Sequence, residues 1–206
     1  MNENIKIEDG FLDRKSFEEI ETYIVNPESY NPKPSLPWRY TNGVDGPNET
    51  EMHRGYGFQF VHVFYANYQS VSESTVKLAP ILEKIRPVAI HRIKANLLVR
   101  TPEIIEHRLH SDLHLWMPEE KQKEWTTSIY YMNTCNGYTK FEDGTKVESV
   151  ANRMITFPAD MKHTGTSCTD QNTRIVINFN YFYSMGDYKP EKFLATGTMD
   201  ASEAKW

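Results

Sequence analysis

Cysteine is scarce: Cys135 and Cys168 are the only two in 206 residues. Two thiols cannot supply the several bridges of a small secreted scaffold, so a reducing compartment is expected, and such a pair is more often incidental than catalytic. Long apolar runs are missing too, none approaching the roughly 18 residues that a membrane span requires. The opening residues, Met1 to Gly10, are polar and acidic, unlike a charged-then-apolar signal segment. The expectation is a soluble, cytoplasmic chain with no membrane partner. Nor is there an excess of positive charge, since 23 Lys and Arg face 28 Asp and Glu, for a net charge of −5. Without a basic footprint to neutralise phosphates, nucleic acid is disfavoured as a partner. The length suits one domain, residues 1–206, with a substantial core, and no internal repeat, low-complexity tract or second-domain linker is visible.

What is present has clear periodicity. Ser16-Phe17-Glu18-Glu19 reads as a capping box opening a helix whose Phe17, Ile20 and Ile24 share one face, with a short strand before it at 5–12 and Pro27 ending it. Residues 26–51 hold Pro32, Pro34, Pro37 and the turn Asp45-Gly46-Pro47, which predicts a long irregular excursion. Tyr56, Phe58, Phe60, His62 and Phe64 alternate as on a strand with an aromatic face, either packed in the core or lining a substrate groove. Leu78, Ile81, Leu82 and Ile85 have helical spacing, with Pro80 tolerable only near the first turn and Pro87 closing the segment.

From Ile90 the period becomes two. Ile93, Ala95, Leu97 and Val99 form an apolar face, and Arg92, Lys94 and Asn96 a polar one that meets solvent or a hydrophilic cavity. Further strands are predicted at 127–133, 138–141, 153–157 and 173–181, several bounded by Asn-Gly, Asp-Gly or Phe-Pro punctuation. Many short antiparallel strands imply a sandwich or barrel. The tail, 184–206, reads as an extended strap with no assigned chemistry.

The tripeptide His110-Ser111-Asp112 stands out against this background. Side chains at i and i+2 of a strand share a face, so His110 and Asp112 can aim at one point, and His163 can complete a set of two imidazoles and one carboxylate. Such a facial triad leaves the remaining positions of an iron(II) ion open for chemistry. By itself the pair is weak, since chance produces a His-x-Asp roughly once in three chains of this composition. His107 and His114 lie close enough to compete as ligands, whereas His53, His62 and His91 have no partner spacing.

Context comes from ordered strings downstream. Ser128-Ile129-Tyr130-Tyr131-Met132-Asn133, Asn136-Gly137-Tyr138-Thr139-Lys140-Phe141, Phe157-Pro158 before His163, and Arg174-Ile175-Val176-Ile177-Asn178-Phe179 follow one another. With these, the chain resembles the iron(II)/2-oxoglutarate-dependent oxygenases, specifically their prolyl-4-hydroxylase-like branch. It is also similar to small members of that branch carried by marine bacteria and their phages. The resemblance covers roughly residues 85–182 well and 5–24 more loosely. It implies an α+β, mainly β fold, a double-stranded β-helix (a cupin-like jelly roll) with supporting N-terminal helices.

The resemblance implies His110, Asp112 and His163 as ligands of Fe(II), with 2-oxoglutarate and O2 as co-reactants and ascorbate as a candidate auxiliary. Alternation along 174–179 puts Ile175, Ile177 and Phe179 on a core face and Arg174 opposite, and the resemblance assigns the Arg174 guanidinium to the distal carboxylate of 2-oxoglutarate, which it matches as a planar fork. A surface salt bridge is the plain alternative for this arginine. Tyr131 corresponds to a family tyrosine touching the same carboxylate, or is a core aromatic, with Met132 where the branch has leucine. Thr139 and Asn96 are further candidates for contact with the cosubstrate.

The implied function is hydroxylation of a peptidyl prolyl or related side chain, with release of succinate and CO2. Two alternatives stay open. A nucleic-acid dealkylating oxygenase of the same fold is disfavoured because such relatives show Arg-x-Asn-x-Thr-x-Arg after the distal histidine, whereas this chain has Arg174 and Asn178 without a second arginine. A non-catalytic jelly-roll binding module would be expected to have lost a ligand or the arginine. Candidate substrate-recognition elements are the segment with Trp38 and Tyr40, the strand 56–64 and the loop 115–125 with Trp116.

Overall fold

A computed structural model of the chain describes residues 2–25, 35–44 and 57–183. In chain order its elements are β1 (Lys6–Glu8), α1 (Arg14–Val25), β2 (Arg39–Asn42), β3 (Phe58–Ala66), β4 (Gln69–Ser70), a 3-10 turn (Glu73–Leu78) and α2 (Ala79–Ile85). They continue with β5 (Ala89–Val99), α3 (Glu119–Gln122), β6 (Thr126–Tyr131), β7 (Tyr138–Phe141), β8 (Lys146–Glu148), β9 (Arg153–Pro158), β10 (His163–Gly165) and β11 (Thr173–Phe182).

β11 is rich in Ile, Val and aromatic residues, which suit a pleated strand packed on both faces. It lies between β5 and β6 in an eight-stranded sheet of order β1-β9-β6-β11-β5-β3-β2, with β4 on the side of β3. Every pairing in it is antiparallel. A second, three-stranded sheet has the order β10-β7-β8. The two sheets make the jelly roll, or double-stranded β-helix, of a mainly β protein.

Alternation then separates two cores. Ile93, Ala95, Tyr130, Ile175, Ile177 and Phe179 face α1 and α2, where they bury Ile20, Ile24, Leu78 and Ile81. Ile129, Tyr131 and Val176 point the other way, into the space between the sheets, and meet Phe141, Val147, Ile155 and Phe157. Each such fully buried aliphatic or aromatic side chain contributes roughly 1.5–3 kcal/mol relative to exposure. Adjacent residues such as Tyr130 and Tyr131 therefore serve different layers.

Several local expectations are corrected. The first helix is capped three residues before the predicted box: the Asp13 carboxylate accepts the Ser16 N–H at 3.1 Å, so Asp13 supplies the cap and Ser16 sits in the first turn. The predicted irregular stretch 26–51 contains β2; residues 26–34 and 45–51 of it lie outside the described residues, as does the tail from 184. His110 and Asp112 are not on a strand, because His110 is a single bridge residue and Asp112 begins a turn. His163 is the first residue of β10. On β3, Phe58 and Phe60 are only half-buried beside exposed Tyr40, while the intervening Gln59 and Val61 are buried. The second helix is as predicted: Pro80 occupies its first turn, and Arg86, at φ 46°, closes it with a bond from its N–H to Leu82 O.

Candidate metal centre

His110 and His163 form an isolated antiparallel bridge, each backbone N–H donating to the other's carbonyl, at 3.0 and 2.9 Å. The turn after His110 is anchored by the Ser111 hydroxyl, which donates to Gln122 Oε1 on α3 at 2.7 Å, and by fully buried Leu113. That turn brings the Asp112 carboxylate back to within 3.7 Å of His110 Nε2. One donor atom from each of His110, Asp112 and His163 lies within 4.8 Å of the others.

Both rings are held by the same device. His110 Nδ1 lies 3.1 Å from Arg108 O, and His163 Nδ1 lies 3.1 Å from Met161 O. A carbonyl only accepts, so each Nδ1 carries a proton, which leaves Nε2 as the ring atom that a metal would take. Burial pushes the His163 pKa down to about 4, with the charge of Asp112 opposing, so the ring is neutral at pH 7. For Asp112, burial opposes ionisation; contact with His110 and the Arg92 charge outweigh it and hold the carboxyl well below the usual range. Two imidazoles, that of His163 neutral, and an ionised carboxylate are a donor set suited to Fe(II).

Asp112 has partners that the sequence did not single out for this task. Arg92 Nη2 lies 3.2 Å from its Oδ1, and Asn180 donates to its Oδ2 at 2.8 Å, with Asn178 more distant at 3.4 Å. A signal for them existed in strand parity, since Arg92 lies on the polar face of β5 and Asn178 and Asn180 continue the face of Arg174 on β11.

Arg174 is 2% exposed. Its Nε donates to Ser149 Oγ at 2.7 Å, its Nη2 to Thr139 Oγ1 at 3.2 Å and its Nη1 to Thr166 O at 3.4 Å, and the guanidinium lies over the Tyr131 ring. All of these acceptors are neutral, and none of the ion pairs among the described residues involves Arg174. A buried cation without a carboxylate is costly, and a bound carboxylate would relieve that cost. Burial accordingly pushes the Arg174 pKa down.

Arg174 shares one cleft with His110, Asp112 and His163, walled by Thr139, Ile129, Val176 and Gly165 and, on the β3–β5 side, by Gln59, Lys94 and Asn96. Thr139 lines this cleft and Tyr131 does not: the tyrosine is fully buried behind, donating to Thr139 Oγ1 at 2.8 Å. Asn96 reaches the cleft from β5 as its parity predicts. The two cysteines are not incidental in position. They meet beside Asp170, their hydrogen bond lowers the Cys135 pKa to about 6 and raises that of Cys168, and the charge of Arg174 is felt at Cys135.

The competing histidines fall elsewhere. His114 is exposed, its Nδ1 2.5 Å from Ser111 O. His107 is buried, its N–H donating to Gly165 O. His62 lies between Pro37 O and Ser72 Oγ, and His91 sits among the rings of Tyr68, Trp116 and Trp125. His53 lies outside the described residues.

No protein-family model and no curated protein matches the sequence. Solved structures match by fold. An oxidoreductase of the 2OG-Fe(II) oxygenase family from Burkholderia pseudomallei is 11% identical, with a TM-score of 0.58, over 88% of this chain and 86% of its own. A prolyl hydroxylase from Trichoplax adhaerens, in complex with a peptide fragment of the hypoxia inducible factor oxygen degradation domain, is 14% identical, with a TM-score of 0.57, over 96% and 89%. The non-heme alpha ketoglutarate dependent epimerase SnoN, from nogalamycin biosynthesis, is 12% identical, with a TM-score of 0.59, over 87% and 78%. The chain thus has the fold of 2-oxoglutarate/iron(II) oxygenases.

Proposed function

We propose that this protein is a 2-oxoglutarate- and Fe(II)-dependent dioxygenase that hydroxylates a peptidyl prolyl or related side chain, releasing succinate and CO2. The observation that carries this reading is a cleft with a His-Asp-His donor set and a buried guanidinium lacking any carboxylate partner among the described residues. His110, His163 and Asp112 would hold the metal on one side, leaving positions for a bidentate 2-oxo acid and O2. Bound there, iron(II) with 2-oxoglutarate and O2 supplies the oxidising chemistry, and ascorbate is a candidate auxiliary reductant.

The rest of the work falls to the chain. Arg174 takes the distal carboxylate as a planar fork, and Thr139, itself held by Tyr131, adds a hydroxyl at the same end. Ile129 and Val176 keep water from the flank of the cosubstrate. Asn96 is a polar contact from β5. A side-chain substrate would enter from the remaining open side of the cleft.

The prolyl assignment draws on the peptide-bound Trichoplax relative. The epimerase match means that fold does not fix the reaction. Nucleic acid is the weaker substrate class for a chain of net charge −5. A screen of peptides, amino acids and nucleotides for a mass gain of one oxygen that depends on 2-oxoglutarate tests the assignment. Gain on prolyl peptides supports it, gain only on nucleotides replaces the substrate class, and demethylation of alkylated bases would favour the dealkylating alternative.

A further inference from the structure

Asn180 is fully buried, and its amide is committed on every side. Its Oδ1 accepts from Arg92 Nε at 3.1 Å, and its Nδ2 donates to Asp112 Oδ2 at 2.8 Å and to Thr127 Oγ1 at 3.1 Å. An arginine Nε can only donate, so the amide oxygen must face Arg92 and both amide hydrogens must face Asp112 and Thr127. The flip of the amide is therefore determined by its neighbours. Arg92 also reaches Asp112 Oδ1 through Nη2 at 3.2 Å, so Arg92, Asn180 and Asp112 close a ring of polar contacts.

The two carboxylate oxygens of Asp112 consequently differ. Oδ1 is the one 3.7 Å from His110 Nε2, on the side where the donor atoms converge. Oδ2 is turned toward the amides of β11, with Asn180 at 2.8 Å and Asn178 at 3.4 Å. With Oδ2 engaged there, Oδ1 is the oxygen left to face a metal that His110 and His163 would hold.

We infer that Asn180 is a positioning residue that sets the carboxylate plane of Asp112 and commits it to one-oxygen ligation, so that three positions stay open on the metal. This rests on the metal-binding reading of His110, Asp112 and His163. Asn180 acts through Asp112 and touches neither metal nor substrate. Removing the amide lets the carboxylate rotate, which weakens the site and admits two-oxygen ligation. Partners of this kind typically change metal affinity by about 10- to 100-fold.

Full-length apo-protein titrated with Mn(II) by calorimetry, without 2-oxoglutarate, tests this, alongside the visible absorption spectrum of the Co(II)-loaded protein. Asn180→Leu keeps the branching of the side chain without its polar atoms, and Asn180→Ala leaves room for water, so a fold defect in one variant leaves the other informative; circular dichroism checks both. The expected result is one equivalent of Mn(II) in wild type, affinity lower by about 10- to 100-fold in the variants, and an altered Co(II) spectrum. A purely structural role would lower thermal stability without moving the Co(II) bands. Wild-type affinity and an unchanged Co(II) spectrum in a folded variant overturn the inference while leaving the metal site standing. If folded wild-type protein takes up no Mn(II), or takes it up equally after His163→Ala, the metal reading fails and this role fails with it.

Discussion

His110 and His163 are paired through their main chains, with reciprocal hydrogen bonds of 3.0 and 2.9 Å, and their ring centroids are 5.2 Å apart. The spacing of the two imidazoles is thus set by backbone geometry, which substitution of either side chain leaves in place. His163→Ala should retain the wild-type far-ultraviolet circular dichroism and bind Mn(II) at least 100-fold more weakly, a rough scale for loss of a direct ligand where outer partners alone cost about 10- to 100-fold. Calorimetry checks this, and undiminished affinity would remove His163 from the site.

Arg174→Ala should weaken 2-oxoglutarate binding by about 2–5 kcal/mol, the scale for truncating one partner of a buried charged pair. Mn(II) affinity should stay near wild type, because Arg174 touches none of the three donor residues. Thr139→Val, which removes one neutral hydroxyl, should cost only about 1 kcal/mol. Titration of 2-oxoglutarate into the Mn(II)-loaded proteins gives both values. Equal cosubstrate affinity in wild type and Arg174→Ala would assign the arginine to structure.

Gly137 supports the same guanidinium by having no side chain. A Cβ there would come 2.6 Å from Arg174 Cδ and 2.6 Å from Ser167 O, and the second contact is with backbone that cannot swing aside. Gly137→Ala should lower the melting temperature and weaken 2-oxoglutarate binding together. A variant with wild-type values for both would show that the loop yields without disturbing Arg174.

Glu106 gives a pH signature away from the metal. Hydrogen bonds from Lys140 Nζ and Tyr138 Oη, both 2.6 Å, lower its pKa from 4.5 to about 2. A depressed carboxylate pKa contributes stability above pH 4.5 that fades as the pH falls toward 2. Glu106→Gln should therefore lose stability at neutral pH and show a shallower decline between pH 4.5 and pH 2. Denaturant melts across that range measure it; the same slope in both proteins would mean that the half-buried pair contributes nothing.

The strands of the core and the direction of Arg174 were legible in the sequence because alternation is local: Ile175, Ile177 and Phe179 on one side require Arg174 and Asn178 on the other. The donor set was legible by spacing, although by the wrong route. His110 and Asp112 converge through a bridge residue and a turn, and strand parity has no part in it. Asp13 does not stand out as a cap because the Ser16 and Glu19 pair offers an equally good pattern three residues later. Parity put Arg92 and Asn180 on polar strand faces, but their joint clamp on Asp112 was not legible. Arg92, Asn180 and Asp112 come from β5, β11 and the loop after His110, and only the tertiary pairing of β5 with β11 brings the first two together. Gly137 read as turn punctuation, and its close approach to Arg174 depends on a strand that begins 36 residues later, at Thr173.

The most direct test of the account is uncoupled turnover of 2-oxoglutarate, measured as succinate released by full-length protein with Fe(II) in air and no added substrate. The account predicts slow succinate formation that needs both Fe(II) and O2 and disappears in His110→Ala. Iron-loaded wild-type protein that binds 2-oxoglutarate yet yields no succinate above the His110→Ala background, with or without a panel of candidate substrates, would contradict catalysis and leave a jelly-roll binding module.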